Sequence, residues 1–137
     1  MTDKEQSRDL YKGKAIHRFG IATVAFLMTL FGLAEIVTGI THNFFGVSTT
    51  RGAFSAYANA GVGALYAIAG VLILSMKKRY VAIALGCLAL DVVGRIALVV
   101  TGLFPISAFR QTAAIVAGTT IVIIFATYIG SRWKQFS

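Results

Sequence analysis

The sequence predicts an all-α membrane fold, four transmembrane helices in an antiparallel bundle. Composition is the first observation behind this. Of 137 residues, 57% are hydrophobic and only 13% are charged, and the mean hydropathy is +0.78. A soluble domain carries about a quarter of its residues charged. A water-soluble globule is therefore excluded, and so is a disordered chain. The second observation is that the apolar residues gather in four runs, each of helical membrane-spanning length. The third is that the links are short, which forces successive helices to be antiparallel. A membrane barrel would show alternating segments of about ten residues instead. The length suits one domain, 1–137.

Residues 1–18 form a polar tail of mixed charge. No cleavable targeting segment is expected, because the first apolar run is too long for a signal-peptide core. That run extends from Phe19 to about Thr41 and the second from Ala53 to Met76, without a charge. The third extends from Tyr80 to Leu103, and the fourth, again uncharged, from Gln111 to Gly130. About 20 residues at 1.5 Å each cross a hydrocarbon core of about 30 Å. The lone Cys87 lies within an apolar run, so no intrachain disulfide forms and it reads as a small core residue.

The net charge of +8 sits between the apolar runs, which favours an anionic bilayer face over nucleic acid. Lys4, Arg8, Lys12, Lys14 and Arg18 precede the first span, Lys77, Lys78 and Arg79 join the second to the third, and Arg132 and Lys134 follow the fourth. The other side has only Arg51 and Arg110. This bias puts both termini on the cytoplasmic side, with the plasma membrane as the expected location. Tyr80, Tyr128 and Trp133 form an expected inner aromatic belt, and Phe44, Phe45, Tyr57 and Phe104 an outer one. Phe44-Phe45-Gly46 is expected to dip into the outer interface, and His17 beside Arg18 to meet headgroups.

A short internal repeat suggests a duplicated helical hairpin. Ile36-Val37-Thr38-Gly39 resembles Val99-Val100-Thr101-Gly102, and Ala53-Phe54 resembles Ala108-Phe109. Lipid tails are as apolar as leucine, so helix association rests on close packing at small residues. Ala25, Gly32 and Gly39 recur at intervals of seven, and Gly52, Ala56, Ala60 and Ala64 at intervals of four, with Gly63 and Ala67 beside them. The fourth run offers Ala113, Ala117 and Gly118. Any seam left over would serve a homo-oligomer or another membrane subunit.

Three ionisable residues lie inside the spans: Glu35, Asp91 and Arg95. Intramembrane charges mark functional-site candidates by default. Asp91 and Arg95, four apart, share a helix face. If the two Thr-Gly endings mark equal depth, Arg95 lies between the two carboxylates. A cluster Glu35–Arg95–Asp91 bridging the first and third helices is expected. The third span needs it. Its twelve Val, Ile, Leu and Phe residues contribute about 4 to 7 kcal/mol, while its two charges cost about 5 to 7. Arg95 also lies about 12 Å from the end of its run, too deep to snorkel fully into the headgroups. Two carboxylates and one guanidinium sum formally to −1, which leaves a place for a proton, a cation or a ligand's donor. Two roles stay open: a brace that fixes register, or a ligand or proton site whose path includes Thr38, His42, Tyr57, Asn59 and Tyr66. These polar groups, like Gln111, Thr119 and Thr120, can also bond simply to backbone.

His42 has no second ligand at metal spacing, so no metal is expected. No nucleophile–base pair, phosphate loop or haem-binding histidine pair appears, so neither a cofactor nor catalysis by the chain alone is expected. In span count, Gly- and Ala-rich helices and a buried acid at Glu35, the layout resembles DoxX-like small four-helix membrane proteins. That likeness is architectural and carries no functional residue with it. The sequence thus favours a non-catalytic accessory subunit or self-associating bundle braced by the cluster. The alternative is a small transport or ligand-binding protein for a proton, ion, lipid or quinone, and a weaker third reading is an enzyme subunit that completes a lipid or quinone pocket.

Overall fold

A computed structural model describes residues 3–44, 47–48 and 52–137, with side chains for 18–43 and 52–137. Arg51, Phe45 and Gly46, and the side chains of Phe44, His17 and the basic residues of the tail before Arg18, lie outside the described set. The chain forms four long helices: α1 Asp3–Thr41, α2 Ala53–Leu74, α3 Lys78–Val100 and α4 Phe109–Ser131. Each contains a stretch long and apolar enough to cross a membrane, beginning at Arg18 in α1. Two two-residue strands, Asn43–Phe44 and Val47–Ser48, pair antiparallel between α1 and α2. A 3-10 turn, Trp133–Gln135, follows α4.

The tail does not end where the first span begins. Helix α1 runs 39 residues without a break, because the tail is rich in Lys, Glu, Gln and Arg and lacks proline. Helix α3 ends three residues before its apolar run does. Gly102, at φ +71°, supplies the left-handed turn that stops it. The Phe104 amide then donates back to the Leu98 carbonyl at 2.9 Å. This reversal turns Phe104 and Pro105 inward, so Phe104 is buried and does not join an outer belt. Helix α4 starts with Gln111 Oε1 accepting from the Ala108 amide at 3.2 Å, the returning half of a capping box.

Helices α1 and α2 pack backbone to backbone. A Cβ added at Gly32 would stand 2.7 Å from the Gly63 carbonyl oxygen, and one at Gly39 would stand 2.8 Å from the Ala60 nitrogen. One at Gly70 would stand 2.6 Å from the Ala25 carbonyl oxygen. On α2 the seam is therefore Ala56, Ala60, Gly63, Ala67 and Gly70. Its steps alternate four and three. A strict four-residue spacing drifts around the helix, whereas alternating steps hold one face toward a partner. Gly52, at the strict spacing, is not on this seam, having open space around it.

The two glycines of the internal repeat serve different ends. Gly39 seats α1 against α2, while Gly102 terminates α3. At one end of the bundle, the Ser137 amide donates to the Met76 carbonyl at 3.0 Å, and the Lys78 amide donates to the Ser137 carbonyl at 2.7 Å. Gly20 of α1 meets the Tyr128 hydroxyl of α4 at that same end. The tail-side end of the α1 span, the α2–α3 turn and the chain's last residues therefore lie together, as an up-down-up-down bundle requires. An apolar core of Ile21, Met28, Ile73, Leu88, Val122 and Ile129 fills this half. Toward the other end a smaller cluster forms from Val62, Leu98 and Phe104.

Candidate functional site

The three intramembrane charges meet between these two cores. Asp91 and Arg95 share the buried face of α3 with Ala84, Leu88 and Leu98. Arg95 Nε donates to Asp91 Oδ2 at 2.9 Å. Its Nη2 donates to Glu35 Oε2 of α1 at 2.5 Å. Side chains on a helix lean toward its N-terminus. On α3 that direction leads deeper into the bundle and brings Arg95 onto Asp91. Arg95 stands about 7 Å from the observed end of α3, nearer than the apolar run suggested. It nevertheless turns inward, away from the headgroups.

The fourth helix completes the seat. A Cβ at Gly118 would stand 2.9 Å from Arg95 Nη1, so the guanidinium lies against bare α4 backbone. Asp91 is fully buried, whereas the Glu35 side chain keeps 17% of its surface. That remaining surface faces a cavity of about 240 Å³. Glu35, Thr38, Asn59, Tyr66 and Arg95 supply its polar wall. Phe31, Leu98, Phe104, Ile115 and Ile121 are its large apolar lining. Ala34 and Ala117, on α1 and α4, line it too and are exposed at the bundle's outer surface. Contact between α1 and α4 is slight compared with the α1–α2 and α2–α3 packing. The cavity therefore opens sideways between α1 and α4, toward the hydrocarbon.

Among the described residues, two buried polar atoms here have no partner. Asp91 Oδ1 is one and the Tyr66 hydroxyl is the other. Buried polar atoms nearly always have a partner, so the hydroxyl of Tyr66, a cavity-lining residue only 3% exposed, stands out. Thr38 is committed otherwise, its hydroxyl donating to the Ala34 carbonyl at 2.8 Å.

The structure thus brings Glu35, Asp91 and Arg95 together and sets Thr38, Asn59 and Tyr66 around the same space. It does not bring Tyr57 or His42 there. Tyr57 is 76% exposed on the far side of α2, and His42, at φ +60°, lies in the turn beyond α1. Phe104 and Gly118 are site residues that sequence reasoning missed in that role. Gly102 and Pro105 around Phe104 mark the reversal that turns it inward, and Gly118 shows only as one small residue among several. Thr119 and Thr120 bond to carbonyls of their own helix. Cys87 is half-buried, and among the described residues no group of three His, Cys, Asp or Glu stands at metal-binding distance. Comparison with protein-family models, curated proteins and solved structures finds no match to this chain.

Proposed function

We propose that this membrane protein binds a small amphiphilic molecule, which enters from the hydrocarbon between α1 and α4 and sets its polar end against the Glu35–Arg95–Asp91 cluster. One observation carries this reading: the cluster is not sealed. A brace alone is best served by complete burial, yet here Glu35, Arg95 and Tyr66, whose hydroxyl is unpartnered among the described residues, line an apolar cavity of about 240 Å³. That volume is a little below the usual range for ligand pockets, about 300–1,000 Å³. It suits a ring with a short chain, or the end of a longer molecule whose remainder lies in lipid.

Ala114→Phe tests this reading by placing a phenyl group in the cavity. A ligand that binds only the folded state raises stability in proportion to the logarithm of its concentration. Propylbenzene is expected to raise the unfolding temperature of the wild type in detergent and to leave Ala114→Phe unmoved. If Ala114→Phe is simply more stable and propylbenzene shifts neither protein, the cavity is a packing gap beside a brace.

The same cluster ties α1 to α3, so the ion pairs also support a second reading. In it the chain is a non-catalytic accessory subunit or a self-associating bundle, with a partner helix at the α1–α4 opening. A stoichiometric partner retained in mild detergent, together with absent probe binding, would favour it. In both readings the protein sits in the plasma membrane with its termini on the cytoplasmic side.

A further inference from the structure

We infer that the molecule taken up by this cavity carries a protonated amine, and that its ammonium head sits beside Glu35. The inference rests on the binding function proposed above and adds the chemistry of the head. Charge is the first reason. Glu35, Asp91 and Arg95 sum formally to −1, and among the described residues no other charged group lines the cavity. Arg95 is already held on two sides, through Nε by Asp91 and through Nη2 by Glu35. Its charge is met, while the excess lies on the carboxylates. An anionic head would add to that excess, and a single positive charge would balance it.

Donor and acceptor counting is the second reason. An alkylammonium has three N–H donors and no acceptor. The cavity wall has acceptors to offer such a head, while the spare Arg95 Nη1 donors face Gly118 of α4. Glu35 Oε2 is taken by Arg95, and among the described residues Oε1 has no partner. The Tyr66 oxygen has none, although Tyr66 is 97% buried by its 3% exposure. Asn59 lines the same wall, and its side-chain amide includes a carbonyl acceptor. Phe31, Phe104 and Tyr66 add aromatic rings, which favour a neighbouring cation. The apolar remainder of the cavity suits a hydrocarbon body. A free lipophilic amine and the amino head of a bilayer lipid share this chemistry.

Isothermal calorimetry in phosphatidylcholine nanodiscs tests the inference with two probes of one shape. These are 2-phenylethylamine, an ammonium at neutral pH, and propylbenzene, in which a methyl replaces the amine. Ala114→Phe serves as the blank for partition into the bilayer. The amine is expected to bind the wild type at least about tenfold more tightly than propylbenzene, a difference of about 1.4 kcal/mol. Asp91→Asn removes one negative charge without altering the cavity lining, and it is expected to reduce that preference by about tenfold. Equal or tighter binding of propylbenzene, lost in Ala114→Phe, would overturn the ammonium and leave the binding function standing. Binding of neither probe to the wild type would remove both. An amine preference unchanged in Asp91→Asn would also overturn the charge argument, and this arm holds even if Ala114→Phe does not fold. Repeating the titration with phosphatidylethanolamine in the nanodisc separates the sources. Suppressed amine binding assigns the site to the lipid's amino head, and unchanged binding assigns it to a free amine.

Discussion

At the scale of single residues, the site combines satisfied and unsatisfied groups. Arg95 is held by two carboxylates, and removing it leaves both of them buried without a counter-charge. Arg95→Met is expected to cost about 3–5 kcal/mol in reversible unfolding from mixed micelles. Replacing Glu35, Asp91 and Arg95 together by leucine, leucine and methionine is expected to be near neutral or stabilising in the same assay. Tyr66 behaves oppositely. Its hydroxyl has no partner among the described residues, so Tyr66→Phe is expected to stabilise by about 1 kcal/mol or more. The same change weakens 2-phenylethylamine binding by calorimetry. A loss of stability in Tyr66→Phe would mean that the hydroxyl is bonded in the unliganded state. Glu35, Asp91 and Arg95 were legible as a cluster because charges in apolar runs stand out and the i,i+4 spacing joins two of them. Gly118 was not legible in its role, because its function is to make room for an arginine of another helix. The rotation of α4 that brings it there is fixed by tertiary packing and leaves no local pattern.

At the scale of elements, close backbone approach holds α1 to α2. Gly32 and Gly63 face each other's backbone, so alanine at either must push the helices apart. Gly32→Ala and Gly63→Ala are each expected to lose about 1–3 kcal/mol of stability. Gly86 has open space around it, and Gly86→Ala is expected to be neutral or to gain up to about 1 kcal/mol. Mixed-micelle unfolding of the three variants checks the contrast, and equal effects would contradict the seam. The four helices and their approximate limits were legible because apolar run length is set by bilayer thickness. Helix ends were less so. Apolar residues continue past Val100 to Leu103, and only the positive-φ turn at Gly102 decides where α3 stops. Ala56, Ala60, Gly63 and Ala67 of the α2 seam were legible as small residues, whereas Gly70 and the exclusion of Gly52 were not, because small residues at both three- and four-residue steps crowd that helix and the sequence does not say which faces α1.

At the scale of the whole molecule, the bundle has one well-filled half and one half with a side opening. The chain's last residues close the filled half against the α2–α3 turn, and basic residues gather there: Lys77, Lys78, Arg79, Arg132 and Lys134. The proposed positive-inside orientation would make that the cytoplasmic end. In a Cys87→Ala background, Ser107→Cys is expected to react with a membrane-impermeant thiol reagent on intact cells, and Ser75→Cys only after lysis. The reverse pattern would invert the protein and place the binding cavity in the cytoplasmic half of the bilayer. The up-down-up-down order was legible from link lengths. The side opening was not, because it depends on how far apart the first and last helices of the bundle stand.

Contact between α1 and α3 through opposite charges underlies both the fold of the site and its proposed use. A double-mutant cycle with Glu35→Leu and Arg95→Met, read by reversible unfolding in mixed micelles, measures that contact directly. The predicted result is a coupling energy of about 1 kcal/mol or more between the two sites. Additive effects, within about 0.5 kcal/mol, would mean that the two side chains do not interact and would contradict the account.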